Sequence, residues 1–389
     1  MVIVLSFDGV RHDDLDRGGL PALERVMREG VRADALVPVF PSSTFPNHAA
    51  LATGATAERH GIVGNRFLDP ELGLFDYGAD PRFLRAEPLW VTAERQGLRA
   101  AVFFWVLSER DWRGRGATYR KAPFDSGVDE TTKVTQILAW LDLPPAERPR
   151  LILSWWHGAD HAGHRHGPGS EEAQAQLRGQ DEALGRLLAG LDARDAWSHT
   201  TLVVVSDHGM TAVAEAVDAQ APLDAAGLGA RVVLGGPVAH VHLEEPARRK
   251  EAAARLAALP GVAAWPSDAV PERLRYRLDG RTGDVVALAE PPRVFVRGLA
   301  DRLRRALAGG AGGHGYDPTR HSDMHGILLA RGRGAAPGTR LPPQRAVDVA
   351  PTVARLLGIE PPRHAEGRPI EALRPPGAGP VAGRRSGTE

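Results

Sequence analysis

Carboxylates and imidazoles recur in this chain where apolar runs end. Asp8 closes the run Val2 to Phe7. Asp160 and His164 stand in Trp155-Trp-His-Gly-Ala-Asp-His-Ala-Gly-His164, after a run that starts at Leu151. Asp207 and His208 follow Thr201 to Ser206, and His314 lies in Gly312-Gly-His-Gly-Tyr316. Carboxylate oxygen and neutral imidazole nitrogen are both good zinc donors, and catalytic zinc keeps an open position. Three Asp and three His make two sets of three. Asp160 and His164, four apart, lie on one side of a turn or helix start and can share a metal. Asp207 and His208 can share one only if the strand has just ended, because side chains along a strand alternate faces. Gly209 permits a sharp turn there. A lone Asp-His pair at a strand end is more often a structural hydrogen bond. Three clusters, each beside glycine and each after an apolar run, point to metal chemistry instead.

A nucleophile for such a site comes from Pro41-Ser-Ser-Thr44-Phe-Pro-Asn-His48. Pro46 can occupy the first turn of a helix, where its missing N–H costs nothing. Thr44 then sits just before that helix, facing free N–H groups and the positive end of the dipole. Taken alone, Thr44 reads as a helix cap. Beside a metal cluster it becomes a hydroxyl that can be activated for attack.

These residues need elements to position them. Strand-like runs (Val2 to Phe7, Ala100 to Trp105, Leu151 to Trp155, Thr201 to Ser206) alternate with helix-like stretches (Leu20 to Glu29, Thr131 to Leu141, Glu171 to Leu191). Continuous apolar strands separated by helices predict an α/β fold with a mostly parallel sheet covered on both faces. Open α/β sheets place ligands at the carboxyl ends of their strands, so the acidic and imidazole residues converge on one rim. Residues 1–230 and 298–372 form the expected catalytic domain. Short strands (Arg231 to Leu234, Val238 to Leu243, Asp284 to Ala289) around a helix near Ala247 to Leu259 mark residues 231–297 as a small inserted α+β subdomain. Asp348 to Leu357 reads as a closing helix. Residues 373–389 are expected to form a disordered tail, from the Pro, Gly and Arg richness after Pro375.

Composition narrows the function. Forty-eight basic residues balance 48 acidic ones, so a duplex-DNA footprint is not expected. The chain has no cysteine, which excludes thiolate metal sites and Cys nucleophiles. No apolar run approaches the ~18 residues of a membrane span. The opening apolar stretch leads straight into Asp8 and reads as a buried strand rather than a secretory signal, so the chain as written is expected to be cytoplasmic.

The motifs together resemble the nucleotide pyrophosphatase/phosphodiesterase family of the alkaline phosphatase superfamily. They are Phe7-Asp-Gly-Val-Arg11, Ser43-Thr-Phe-Pro-Asn-His48, His60-Gly-Ile-Val-Gly-Asn-Arg-Phe67, Glu87-Pro-Leu-Trp90, Asp160-His-Ala-Gly-His164, Ser206-Asp-His-Gly-Met210 and His314-Gly-Tyr-Asp317. Their order matches over most of the chain. The resemblance implies an alkaline-phosphatase-like fold and two zinc ions, with manganese or iron also compatible with these donors. It assigns Asp160, His164 and His314 to one metal, and Asp8, Asp207, His208 and the Thr44 oxygen to the other. It makes Thr44 the nucleophile of a phosphothreonine intermediate and Asn65 the donor to a nonbridging phosphoryl oxygen. It places Phe45 and Trp155 where relatives carry aromatics that sandwich the base of a nucleotide substrate. Trp155 departs from the more usual Tyr. Trp105-Val-Leu-Ser-Glu109 and Ala159 depart from the family's Trp-Pro-Gly-Ser-Glu and Pro, which leaves substrate identity open.

Rival readings share the metals. A phosphomonoesterase usually adds an Arg or a third metal, and a phosphonoacetate-type hydrolase needs cations for the substrate carboxylate. Neither group can be assigned from the sequence. Sulfatases need a matured Cys or Ser. A non-catalytic zinc-binding descendant would have lost a ligand or the nucleophile, and here none is lost. Of the remaining histidines, His12, His48, His60, His199, His240, His242 and His364 are expected to be surface or packing residues. His157, His161, His166, His321 and His325 lie near the clusters in sequence and are candidates to support the ligands.

Overall fold

The computed structural model describes residues 1–298 and 311–374. Its centre is an eight-stranded sheet: β1 Val2–Phe7, β2 Gly30–Ala33, β3 Ala100–Phe103, β4 Tyr119–Lys121, β5 Leu151–Trp156, β6 Thr201–Val205, β7 Leu328–Gly332 and β8 Thr339–Leu341. The spatial order is β8-β2-β7-β6-β1-β5-β3-β4. Only β7 runs antiparallel to its neighbours, so the sheet is mostly parallel as expected.

The sequence of β1 explains the layers. Side chains alternate across a strand, and all six of its residues are buried. Val2 and Val4 enter one apolar core with the helices Thr44–Thr53, Leu89–Arg95 and Val349–Leu357. Ile3, Leu5 and Phe7 enter the other, with Pro21–Arg28, Glu130–Leu141 and Glu171–Asp192. A strand clothed on both faces has no polar side, which is why these runs read as continuous apolar stretches. No helix among the described residues is long and apolar enough to cross a membrane.

Residues 230–289 build a separate four-stranded sheet with its own apolar cluster. Its order is Ala230–Gly235, Val238–Leu243, Val285–Ala289, Val262–Pro266, all antiparallel, with the helix Arg249–Ala257 packed on it. The strand Val262–Pro266 is one the sequence did not announce: Ala-Ala-Trp-Pro neither alternates nor is β-branched, and it is specified by its partner Val285–Ala289. The apolar run from Ala100 stops pairing at Phe103 rather than Trp105, since Phe104 turns into the left-handed region at φ 61°. The tail expected from Pro375 onward lies outside the described residues.

Candidate active site

Three parallel strand ends deliver the acidic groups. Ser6 of β1 pairs with Trp155 of β5 on one side and Val205 of β6 on the other. Asp8, the start of the helix Gly158–His166, and Asp207-His208 therefore leave the sheet at one edge. Two glycines permit the crowding. A Cβ on Gly9, whose φ is +71°, would stand 2.9 Å from the Cα of Asp160. Gly209 has no positive φ; a Cβ there would come within 2.1 Å of the Asp323 carbonyl oxygen. The chain bends at Asp207, and Gly209 lets two backbones approach closely there.

The nucleophile helix also differs in detail. It starts at Thr44 itself, with Ser43 extended at the N-cap position and making no side-chain cap bond. Thr44 is thus the first helical residue rather than the one before the helix, and its hydroxyl is not used for capping. The hydroxyl lies 3.2 Å from Nε2 of His208. The whole helix is buried, so its N-terminal N–H groups face a site screened from bulk water. The Phe45 N–H donates to Oδ1 of Asn65 at 2.9 Å. That bond fixes the amide's orientation, so that the Asn65 NH2 is its donor end, which also hydrogen-bonds the Tyr77 hydroxyl.

The imidazoles are fixed as well. Nδ1 of His164 donates to the Gly312 carbonyl at 3.0 Å, Nδ1 of His314 to Ser42 at 3.1 Å, and Nδ1 of His208 to Gly209 at 2.8 Å. A carbonyl only accepts, so each Nδ1 carries the proton and each Nε2 presents a lone pair. Those lone pairs converge. Nε2 of His164 and His314 face each other at 3.0 Å, and Asp160 Oδ1 is 3.5 Å from the first and 3.7 Å from the second. Nε2 of His208 stands 3.1 Å from Asp207 Oδ2 and 3.5 Å from Asp8 Oδ1.

Such a set is unfavourable without cations. The ligand atoms of Asp8, Asp160 and His208 lie within 4.8 Å of one another, as do those of Asp160, His164 and His314. Two like charges at that distance repel by about 3–4 kcal/mol at an effective dielectric near 20. Burial, then Asp207 and Asp160, hold the Asp8 carboxyl well above its usual range. Burial, then Asp160, does the same to Asp207. Burial pushes His208 down to about 3 and His314 well below its ordinary value. Asp8 Oδ1, Asp160 Oδ1 and Asp207 Oδ2 are buried without a hydrogen-bond partner. Among the described residues no Lys or Arg pairs with these carboxylates. Orphaned carboxylate oxygens facing imidazole lone pairs fit divalent metal ions, and they fit little else.

One residue the sequence reading set aside belongs here. His48 was expected to pack or lie at the surface, yet its Nδ1 lies 2.9 Å from the Thr44 carbonyl and 3.3 Å from Asp207 Oδ2, with Asp8 also in the group. Its spacing, one helical turn after Thr44, was the available signal. The histidines expected to lend support join none of the ligand groups: His166 pairs with Glu172, His321 with Glu290, and His325 bonds the Pro318 carbonyl. Phe45 packs edge-on against Phe75 and Tyr77 at 5.4 and 5.6 Å. Trp155 lies against Phe124 at 4.7 Å and donates its indole N–H to Asp8 Oδ2 at 2.7 Å.

The chain matches the model of the type I phosphodiesterase / nucleotide pyrophosphatase family over residues 2–317. A pyrophosphatase/phosphodiesterase of Schizosaccharomyces pombe is 40% identical over 217 residues, covering 54% of this chain and 44% of the relative. An ectonucleotide pyrophosphatase/phosphodiesterase of Caenorhabditis elegans is 30% identical over 92% of this chain and 47% of its own length. The chain thus spans about half the length of these two relatives. The solved structure of murine ectonucleotide pyrophosphatase/phosphodiesterase 5 superposes with a TM-score of 0.83 at 28% identity, covering 92% of this chain and 95% of that one. A second structure of that murine protein is an inactive threonine-to-alanine variant in complex with AMP.

Proposed function

The chain belongs to the type I phosphodiesterase / nucleotide pyrophosphatase family, and from that premise we propose that it hydrolyses phosphodiester or pyrophosphate bonds of small nucleotide substrates through a covalent ester on Thr44. The observation that carries this reading is the Thr44 hydroxyl, uncapped at a buried helix start and 3.2 Å from the lone pair of His208. Asp160, His164 and His314 would hold one metal, and Asp8, Asp207, His208 and Thr44 the other, with zinc as the resident ion. Bound there, the metals supply positive charge that favours the Thr44 alkoxide and offsets charge on the departing oxygen.

The chain's own groups account for the rest. Oγ1 of Thr44 forms the bond to phosphorus as the bond to the leaving oxygen breaks, and the leaving group departs with the electron pair. The Asn65 NH2 and the first N–H of the helix donate to the nonbridging oxygens, where negative charge is greatest. His48 donates Nδ1–H to the Thr44 carbonyl and lies beside Asp207. Phe45 and Trp155 flank the base of the nucleotide substrate. Water then attacks phosphorus from the opposite side and releases Thr44 with its proton restored. Two inversions give net retention.

Turnover of bis-nitrophenyl phosphate, nitrophenyl phosphate and nitrophenyl-TMP tests the substrate class. Both diesters are expected to be cleaved far faster than the monoester. A strong monoester preference refutes the proposal.

A further inference from the structure

Trp155 does more than offer a stacking face. Its indole N–H donates to Asp8 Oδ2 at 2.7 Å, a short, charge-assisted bond to a carboxylate that is 1% exposed. The other oxygen, Asp8 Oδ1, is the one buried without a partner and the one 3.5 Å from Nε2 of His208. A carboxylate's last torsion is broad and two-fold, so an untethered Asp8 could present either oxygen or both. The indole removes that choice.

The indole is itself held on several sides. The Trp155 carbonyl accepts from Nζ of the fully buried Lys133 at 3.0 Å. The ring packs against Phe124 at 4.7 Å with planes 34° apart. The His48 ring meets it edge-on at 5.6 Å, and His48 in turn reaches Asp207. One wall of the proposed nucleotide pocket and two metal-facing carboxylates therefore share a single packed unit. A tyrosine, the residue the resemblance expects here, carries its donor at the far end of the ring. It has none on the edge that the indole nitrogen occupies.

We propose that Trp155 is a positioning residue that fixes Asp8 to present one oxygen to its metal, coupling the base-stacking wall to metal affinity. The inference rests on the two-metal reading above. Partners that orient a metal ligand from outside typically change affinity by about 10–100-fold.

Zinc binding to the full chain, stripped of metal and titrated against a chromophoric chelator, tests it. Wild type should bind two equivalents. Trp155→Phe keeps an aromatic wall and loses the N–H; it should bind one of the two equivalents about 10–100-fold more weakly. Trp155→Tyr retains a large ring and should show the same loss, which covers the case of Trp155→Phe folding poorly. At limiting zinc both variants should lose kcat. Wild-type zinc affinity at both equivalents in a folded variant overturns the proposal, as does a change confined to KM for nitrophenyl-TMP, which would leave Trp155 a stacking residue alone. Failure of wild type to bind zinc at all overturns the two-metal reading itself, a separate outcome.

Discussion

Two buried polar clusters in this protein treat charge in opposite ways. Around Arg281 the partners are complete. Its Nε donates to Asp69 Oδ2 at 2.6 Å, and Nη1 donates to the carbonyls of Gly61 and Phe83. Phe67 and Phe83 lie against the guanidinium at 5.3 and 5.6 Å. The second oxygen of Asp69 accepts from the N–H groups of Glu71 and Leu72. At the strand-end rim, Asp8, Asp207 and His208 are just as buried while the His164 side chain is 43% exposed, yet buried oxygens of Asp8, Asp160 and Asp207 lack partners. A closed network is structural; one that leaves buried carboxylate oxygens unpaired marks a place for ligands. The closed cluster also supports the open one. Arg281 grips Gly61, and the Tyr276 hydroxyl, accepting from Nε2 of His240, donates to the Val63 carbonyl. The segment between those carbonyls runs directly into Asn65.

The contrast can be broken from either side. Removing a ligand from the open cluster should leave the fold and stop the chemistry: His208→Ala is expected to lower turnover by at least about 10³-fold, as loss of a metal would, with an unfolding midpoint near wild type when both are metal-free. Removing a partner from the closed cluster should do the reverse. Arg281→Met leaves Asp69 buried without its cation, and urea unfolding should show a loss of about 3–5 kcal/mol, with zinc stoichiometry unchanged. Between the two lies Asn65→Ala, which removes one donor to the developing charge. It should cost about 10²–10³-fold in kcat with little change in stability.

The smallest effect concerns protons. Burial lowers His240 to about 3, below the unfolded value near 6.5. As pH falls from 6.5 towards 3, the unfolded chain takes up this proton and the native state does not. The stability this group contributes is therefore present above pH 6.5 and lost through that window. His240→Gln should flatten the fall of the urea midpoint between pH 6.5 and 4. An unchanged slope would show that His240 contributes nothing to the loss of stability in acid.

Much of the open cluster was legible because its six Asp and His residues come from local sequence events. Asp8, Asp160 and Asp207 each closely follow an apolar strand, and parallel strands bring such ends to one edge. The main layers were legible for the same reason, since the double burial of β1 is written in its composition. What the sequence hid depends on contacts between distant segments. His48 looks like any helical histidine until the fold brings Asp207 to it across 159 residues. Trp155 reads as a stacking face, and only the β1–β5 register puts its N–H on Asp8. The closed cluster joins Asp69 to Arg281 over 212 residues, with no motif at either end. The close approach that Gly209 permits to the Asp323 carbonyl was hidden too, because it is made across 114 residues.

The central claim is that an open metal cluster turns Thr44 from a helix residue into a nucleophile. The most direct measurement is turnover of nitrophenyl-TMP by zinc-replete Thr44→Ala, with bound zinc determined on the same sample. Retained zinc and abolished turnover are predicted. Full turnover in that variant would contradict the covalent route.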